Sequence, residues 1–460
     1  MTSGASEVDR PFGALPLPLV RPVRGVRPWL LGAVYAATLI PLSLPAKHSG
    51  NVLSRYMTIE AIVERGTLAI ERSPILARSG SPDVVRFGTH SYSDKPPVLP
   101  VLASPIYLAL YAGGIRFSGS GLQFALANLG LTWGVVGLAS ALTLVWLRWI
   151  LQGVDLPAWA ADLLTLAFGF GSLLLTYGVT FNNHSVAAAL ILGAVASTLL
   201  ESDGSANRSR FLAGLTVAMA ATIDLPAGGV MLGGLGLLHA VRARSFPWAF
   251  AVGALGPLVL HAWLQSLVTG SPLPVEMYPK AFDFPGSYWT TPEGTWREHG
   301  PRWRFGLELV VGPQGWLTVT PVMVFALAGM ILVLATKGDP LRPMAGVVLG
   351  SVVVLVAYYT WGVRRTDFGG QSFGTRHLLP ITPACFFFAV VALQRLRWKI
   401  LMVPLFVALL GLGAVYAWAG VADPWSRVLD RAKADPALKA VQSLVIYPRM
   451  QNLEKPRGPR

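Results

Sequence analysis

The sequence predicts an all-α integral membrane protein with about eleven transmembrane helices and a large first extracytoplasmic loop carrying juxtamembrane helices. Three observations predict it. The 460 residues are 53% hydrophobic and only 13% charged, where soluble domains carry roughly 25% charged residues. Twelve apolar runs follow one another, at 29–46, 98–115, 121–147, 157–180, 184–200, 210–223, 225–241, 246–268, 316–336, 343–361, 378–393 and 399–420. They are too long and too evenly apolar for barrel strands. Finally, the short loops that carry arginine and lysine recur with a regular parity.

The net charge of +14 is assigned to those basic flanks and to anionic lipid or phosphate substrates, not to nucleic acid. The single cysteine, Cys385, lies in an apolar run and supports neither an intrachain disulfide nor a cysteine metal site.

Residues 1–28 read as a cytoplasmic tail, with Arg10, Arg21, Arg24 and Arg27 before the first apolar run. No small-residue cleavage site follows, so 29–46 is expected as an uncleaved span. The run 98–115 contains Pro100 and Pro105, which remove backbone donors. If it does not cross, Arg148, Arg208, Arg210, Arg242, Arg244, Lys337, Arg342, Arg395, Arg397 and Lys399 all fall on the cytoplasmic side. The run is therefore expected to dip into the membrane as part of the first outer loop, 47–120. The run 210–223 rises only about 21 Å, short of a ~30 Å hydrocarbon core, and pairs with 225–241. Other outer loops are expected at 270–315 and 362–377, within a transmembrane domain spanning 29–420. A tail at 421–460 follows, with one surface helix at 425–445. Gly228, Gly229, Gly233, Gly234 and Gly236 fit close helix packing in lipid.

The first outer loop holds most of the chemistry. Tyr56, Ile59, Ile62 and Val63 form the apolar face of a helix over 55–64. Arg55, Glu60 and Glu64 fall elsewhere on it, and Gly66 ends it. The segment is expected to lie on the membrane surface. The tip Tyr92-Ser93-Asp94-Lys95-Pro96-Pro97 sets an acid and an ammonium at the mouth of the next helix. A lysine there can meet a lipid phosphate. Asp224 precedes Leu225-Pro226 and reads as the N-cap of the following helix. The loop at 270–315 is rich in aromatics, among them Tyr278, Tyr288, Trp289, Trp296 and Trp303, which beside polar groups suit sugar faces and also form interfacial belts.

Tyr92-Ser93-Asp94-Lys95-Pro96-Pro97, after Ser54-Arg55-Tyr56, resembles polyprenyl-phosphate-dependent glycosyltransferases of the GT-C type. The nearest groups are the aminoarabinose transferases of lipid A and the protein O-mannosyltransferases, with their uncharacterised bacterial relatives. Phe181-Asn182-Asn183-His184, and the segment from Gly369 to His377, extend the resemblance over about residues 30–400.

The resemblance implies inverting transfer of a sugar from a polyprenyl-phosphate donor to an acceptor hydroxyl of a glycan, lipid or protein. The reaction would occur on the extracytoplasmic face of the cell membrane. The family's own acid positions are changed in this chain, and the remaining carboxylates that could serve as catalytic base are Asp94 and, after it, Glu60. Lys95, Arg55, Tyr92, Asn182, Asn183, His184 and Arg376 are the implied substrate-binding residues, with Arg364 and Arg365 near Arg376. His184 can also serve as a base. The sequence departs from the family where an acid should precede the Arg-Tyr pair: Val52, Leu53 and Ser54 stand there. The second-loop acid is replaced by Asn182 or Asn183. A non-catalytic protein that binds lipid-linked glycan is the alternative reading. A translocator is disfavoured, because few ionisable residues lie in the spans. No cofactor is implied, and no metal-ligand spacing of the histidine or cysteine type is present. A divalent ion on the first-loop acids is left open.

Overall fold

The computed structural model describes residues 27–44, 46–291, 301–363, 372–396 and 398–426. Outside them lie the N-terminal tail, the Trp296–His299 part of the long loop, Arg364, Arg365, Gly369–Gln371 and the expected surface helix beyond Ser426.

Among the described residues the chain is helical apart from one two-stranded hairpin. Helix α1 (Arg27–Ser43) packs along the first long span. That span joins α5 (Gly121–Leu131) to α6 (Leu138–Leu151) through a π-turn, and the continuous length is 31 residues. Trp133 in the π-turn donates its indole N–H to the Ala36 carbonyl at 2.9 Å, which fixes the pair.

Between these elements the first loop folds as α2 (Gly50–Arg65), α3 (Pro74–Ser79), the hairpin β1 (Val84–Phe87) and β2 (His90–Ser93), and α4 (Val98–Ala112). Helix α2 ends as its sequence predicts: Gly66 turns left-handed at φ 65° and donates to the carbonyls of Ala61 and Ile62. Its setting is different from the expectation. Every residue from Val52 to Ala61 is buried, Arg55 and Glu60 included, so α2 is a packed interior helix with no solvated face at those positions. The local spacing described the helix correctly, but the long-range cover from the hairpin and α4 could not be read from it. At about 22 Å, α4 is short of a ~30 Å hydrocarbon core.

Two apolar runs that read as continuous are broken. The run 157–180 divides into α7 (Ala158–Phe170) and α8 (Leu173–Gly178). Gly171 lies so close to α18 (Lys399–Ala422) that an added Cβ would be 3.3 Å from the Leu410 carbonyl, and Ser172 caps the new helix through Leu174 N–H. The run 316–336 divides into α14 (Trp316–Val319) and α15 (Met323–Ala335) around Pro321. The preceding length, from α13 (Arg302–Val311) to Val319, meets α15 at 102°.

The central bundle comprises α9 (His184–Leu199), α10 (Ala206–Ile223), α11 (Leu225–Ala243) and α12 (Trp248–Thr269), with α16 (Arg342–Ala357) and α17 (Thr382–Arg395) beside it. Helices α10 and α12 meet backbone to backbone: a Cβ on Gly214 would lie 2.0 Å from the Phe250 carbonyl, and one on Gly253 would lie 2.1 Å from the Phe211 carbonyl. Such small-residue contacts bring helices together in lipid. Gly228 does the same at the α10–α11 junction, where a Cβ would be 2.2 Å from Ala221 N, while Gly229 and Gly233 face open space.

Five single helical lengths among the described residues are long and apolar enough to cross a membrane, or six if the bent pair counts as one span. Four shorter apolar helices, α4, α7, α9 and α17, accompany them. The chain is a multi-pass membrane protein. Arg148, Arg210, Arg242 and Arg395 lie at one end of the bundle, and their partners include Asp162, Glu201 and Asp339. The opposite end carries the first loop and the polar junctions before α9 and α11.

Candidate active site

The helix termini at that second end converge on one polar network. Arg55, on α2, donates to Asn183 Oδ1 at 2.9 Å and also binds Asn51. Asn183, at the head of α9, donates from Nδ2 to Asp224 Oδ2 at 3.0 Å. His184 Nδ1 lies 2.6 Å from the same oxygen. Asp224 is 3% exposed. It stands at the N-cap position of α11, with Pro226 in the first turn, but its side chain makes no cap bond, so that part of the capping reading is corrected. Its carboxylate instead joins α9 to the α10–α11 junction, and Arg55 joins both to the first loop. Local sequence held a complete capping pattern, which concealed a partner 40 residues away.

The loop tip supplies the second part. Lys95 follows β2, and its ammonium donates to Asp94 Oδ2 at 2.9 Å and reaches Asp83 Oδ1 at 3.5 Å. Asp83 N–H is turned back by Ser81 Oγ, and Asp94 N–H donates to the Asp83 carbonyl, which closes the base of the hairpin. Burial opposes charge on Lys95, but Asp83 and Asp94 outweigh it and hold the ammonium above the ordinary lysine value. Burial pushes the Asp94 carboxyl up to about 7 against the pull of Lys95, and Asp83 adds to the rise. Asp94 Oδ1 has no hydrogen-bond partner among the described residues.

These two parts lie within electrostatic reach of each other. Burial and then Arg376 lower the Arg55 value, against the pull of Asp94, Asp83 and Asp224, and it comes to about 10. Arg55 therefore stays charged at neutral pH. Arg376, at the start of the short 3-10 turn Arg376–Leu378, is buried, with its guanidinium 5.0 Å over the Trp425 ring. Next to it, His377 stacks on Tyr359 with centroids 4.1 Å apart and meets the His184 ring edge-on at 5.8 Å. Burial, then Arg376, His184 and Lys95, hold His377 well below the usual histidine range, so its imidazole is neutral.

Of the residues expected from the sequence, Arg55, Asn183, His184, Asp94, Lys95 and Arg376 come together. Tyr92 lines a cavity of about 10 Å³ with Lys95, Thr58 and Val268, room for one water. Asn182 lies beside the network but spends its amide on the chain: Nδ2 donates to the Tyr177 and Thr180 carbonyls, and Oδ1 accepts from Ser185 N–H. Glu60 is paired with Arg65 and influenced by Ser73 and Glu64, and none of these belongs to the network. Sequence reasoning missed Asp224, Asp83, His377 and Tyr359. One usable signal was present for the first, since Asp224 is a rare carboxylate between closely spaced apolar runs. Among the described residues no group of three or more histidine, cysteine or acidic side chains could hold a metal ion.

No protein-family model and no curated protein matches the chain. Two solved structures are similar to it, both of ArnT from Cupriavidus metallidurans. The apo form superposes with a TM-score of 0.48 at 17% identity, covering 91% of this chain and 74% of that one. The form bound to undecaprenyl phosphate superposes with a TM-score of 0.51 at 17% identity, covering 92% and 70%. The fold is GT-C-like. In this GT-C-like fold the site lies where the first loop meets the head of α9 and the α10–α11 junction.

Proposed function

We propose that the protein is a glycosyltransferase of the membrane's extracytoplasmic face that uses a polyprenyl-phosphate-linked sugar. The observation that carries this reading is Lys95. It is a charged lysine, 19% exposed at its side chain, at the centre of a site that also contains Arg55. Its present partners, Asp83 and Asp94, are carboxylates that a phosphate can replace. Positive charge fixed beside a departing phosphate stabilises the anion that develops there. The neighbouring fold was solved with undecaprenyl phosphate, which supports a lipid of that class. The basic residues at the opposite end of the bundle support an extracytoplasmic site.

In this reading the acceptor hydroxyl attacks C1 of the sugar while the C1–O bond to phosphate breaks, with inversion. The electron pair leaves on the phosphate oxygen. Lys95, Arg55 and Arg376 oppose that charge. Asp94, the base expected from the sequence, takes the role of the carboxyl that releases Lys95 to the phosphate. Its raised value suits it to become neutral as a second anion arrives. Glu60 has no role in the step.

Equilibrium binding of undecaprenyl phosphate to the purified protein in nanodiscs tests the reading. Wild type should bind, and Lys95→Ala should lose a charge-assisted bond, roughly tenfold or more in affinity. Equal affinity in both would overturn it. The buried Val52, Leu53 and Ser54, where the family has an acid, favour a second reading as a non-catalytic binder. That protein would bind undecaprenyl phosphate and release none from a sugar-linked donor.

A further inference from the structure

We propose that His184, oriented by Asp224, is the general base that takes the acceptor's proton. The inference rests on the transfer reaction proposed above and assigns the group that its family-like positions lack. Neither Asn182 nor Asn183 can accept a proton at neutral pH, and Val52, Leu53 and Ser54 offer no carboxylate.

The geometry is that of a base with its orienting group. A neutral imidazole that donates Nδ1–H to Asp224 Oδ2, at 2.6 Å, keeps its lone pair on Nε2. Nε2 makes no hydrogen bond among the described residues. The carboxylate that fixes the ring is itself fixed by Asn183, which in turn is held by Arg55. Both ends of the pair are closed in, since the His184 and Asp224 side chains are 7% and 2% exposed. This is the nucleophile-activating arrangement reduced to its base and orienter, with the substrate hydroxyl as nucleophile.

Asp94 is less suited to the task. A phosphate on Lys95 sets a second anion beside its carboxyl, which favours the protonated form. A protonated carboxyl can donate to the phosphate but cannot take the acceptor's proton. The two functions then separate across Arg55, with the donor phosphate at Lys95 and the acceptor at His184. In the step, the acceptor O–H proton passes to Nε2 as the O–C1 bond forms. The imidazolium is stabilised by Asp224, and polyprenyl phosphate leaves. The charged or titratable groups facing His184 are Asp224 from the α10–α11 junction, Arg55 from α2, and Arg376 and His377 from the 3-10 turn. Asp224 is the one in contact with Nδ1.

The test uses the full-length protein in proteoliposomes with a panel of undecaprenyl-phosphate-linked sugars and total membranes as the acceptor source. Release of undecaprenyl phosphate is followed across pH, and its binding is measured in parallel. His184→Gln should lower release by roughly 100-fold or more while binding is kept. In Asp224→Asn the imidazolium loses its carboxylate, so the rise of rate with pH should move to lower pH. The proposal is overturned if His184→Gln retains release while Asp94→Asn abolishes it, or if the pH profile of Asp224→Asn is unmoved. Should His184→Gln also lose binding, the Asp224→Asn profile alone decides. A wild type that neither binds nor releases undecaprenyl phosphate would instead sink the transfer reading itself.

Discussion

Asp224 Oδ2 lies 2.6 Å from His184 Nδ1, and this contact ties the head of α9 to the junction of α10 and α11. The same oxygen accepts from Asn183. Removing the carboxylate leaves the buried His184 imidazole without its partner and takes one of two partners from Asn183, which keeps Arg55. Asp224→Ala should therefore destabilise the protein by about 1–3 kcal/mol, and Asp224→Asn by less. Unfolding midpoints in a fixed detergent check this. No change in Asp224→Ala would show that the contact contributes nothing to the fold.

Binding of lipid phosphate should depend on pH through Asp94. Its carboxyl, raised from 3.8 to about 7 chiefly by burial, is neutral below that range and ionised above it. Above about 7 it competes with phosphate for Lys95, so affinity for undecaprenyl phosphate should fall as pH rises through 7. Asp94→Asn should remove that fall. The same shift acts on stability: between 3.8 and about 7 the folded state holds a proton that the unfolded chain releases, so this group's contribution declines as pH rises through that window. Calorimetric titrations in buffers of different ionisation enthalpy would show less proton uptake on binding in Asp94→Asn than in the wild type.

Glu60 should prove structural. Its carboxylate is 1% exposed and paired with Arg65. Glu60→Gln should leave undecaprenyl phosphate binding unchanged. Arg65→Ala, which strands the buried acid, should cost about 1–3 kcal/mol and more than Glu60→Gln does. Paired binding and unfolding measurements separate the two effects, and lost binding in Glu60→Gln would return Glu60 to the site.

The crossing pattern can be tested at the end of α4. Gly113 is exposed, and Cys385 is fully buried and should not label. In the eleven-crossing arrangement, Gly113→Cys should react with an impermeant maleimide added from the extracytoplasmic side. Labelling only from the cytoplasmic side would contradict that arrangement and invert the loops that follow.

Much of this molecule was legible in the chain. Helix α2 follows from the spacing of Tyr56, Ile59, Ile62 and Val63 and ends at Gly66. The meeting of Lys95 and Asp94 follows from the tip motif. What local pattern could not carry was cover from distant elements. The buried state of Arg55 and Glu60 depends on the hairpin, α3 and α4 closing over α2. The break at Gly171 depends on the α18 backbone that approaches it. Asp224 is the sharpest case, because a sound N-cap pattern and a site carboxylate look alike until α9 is placed beside it.

A structure of the protein with undecaprenyl phosphate bound tests the account most directly. The phosphate is expected within hydrogen-bond distance of Lys95 Nζ, with Arg55 on the same anion, the Asp94 carboxyl turned away from the ammonium, and His184 Nε2 facing the space left for an acceptor. A phosphate bound elsewhere, with Lys95 still held between Asp83 and Asp94, would contradict it.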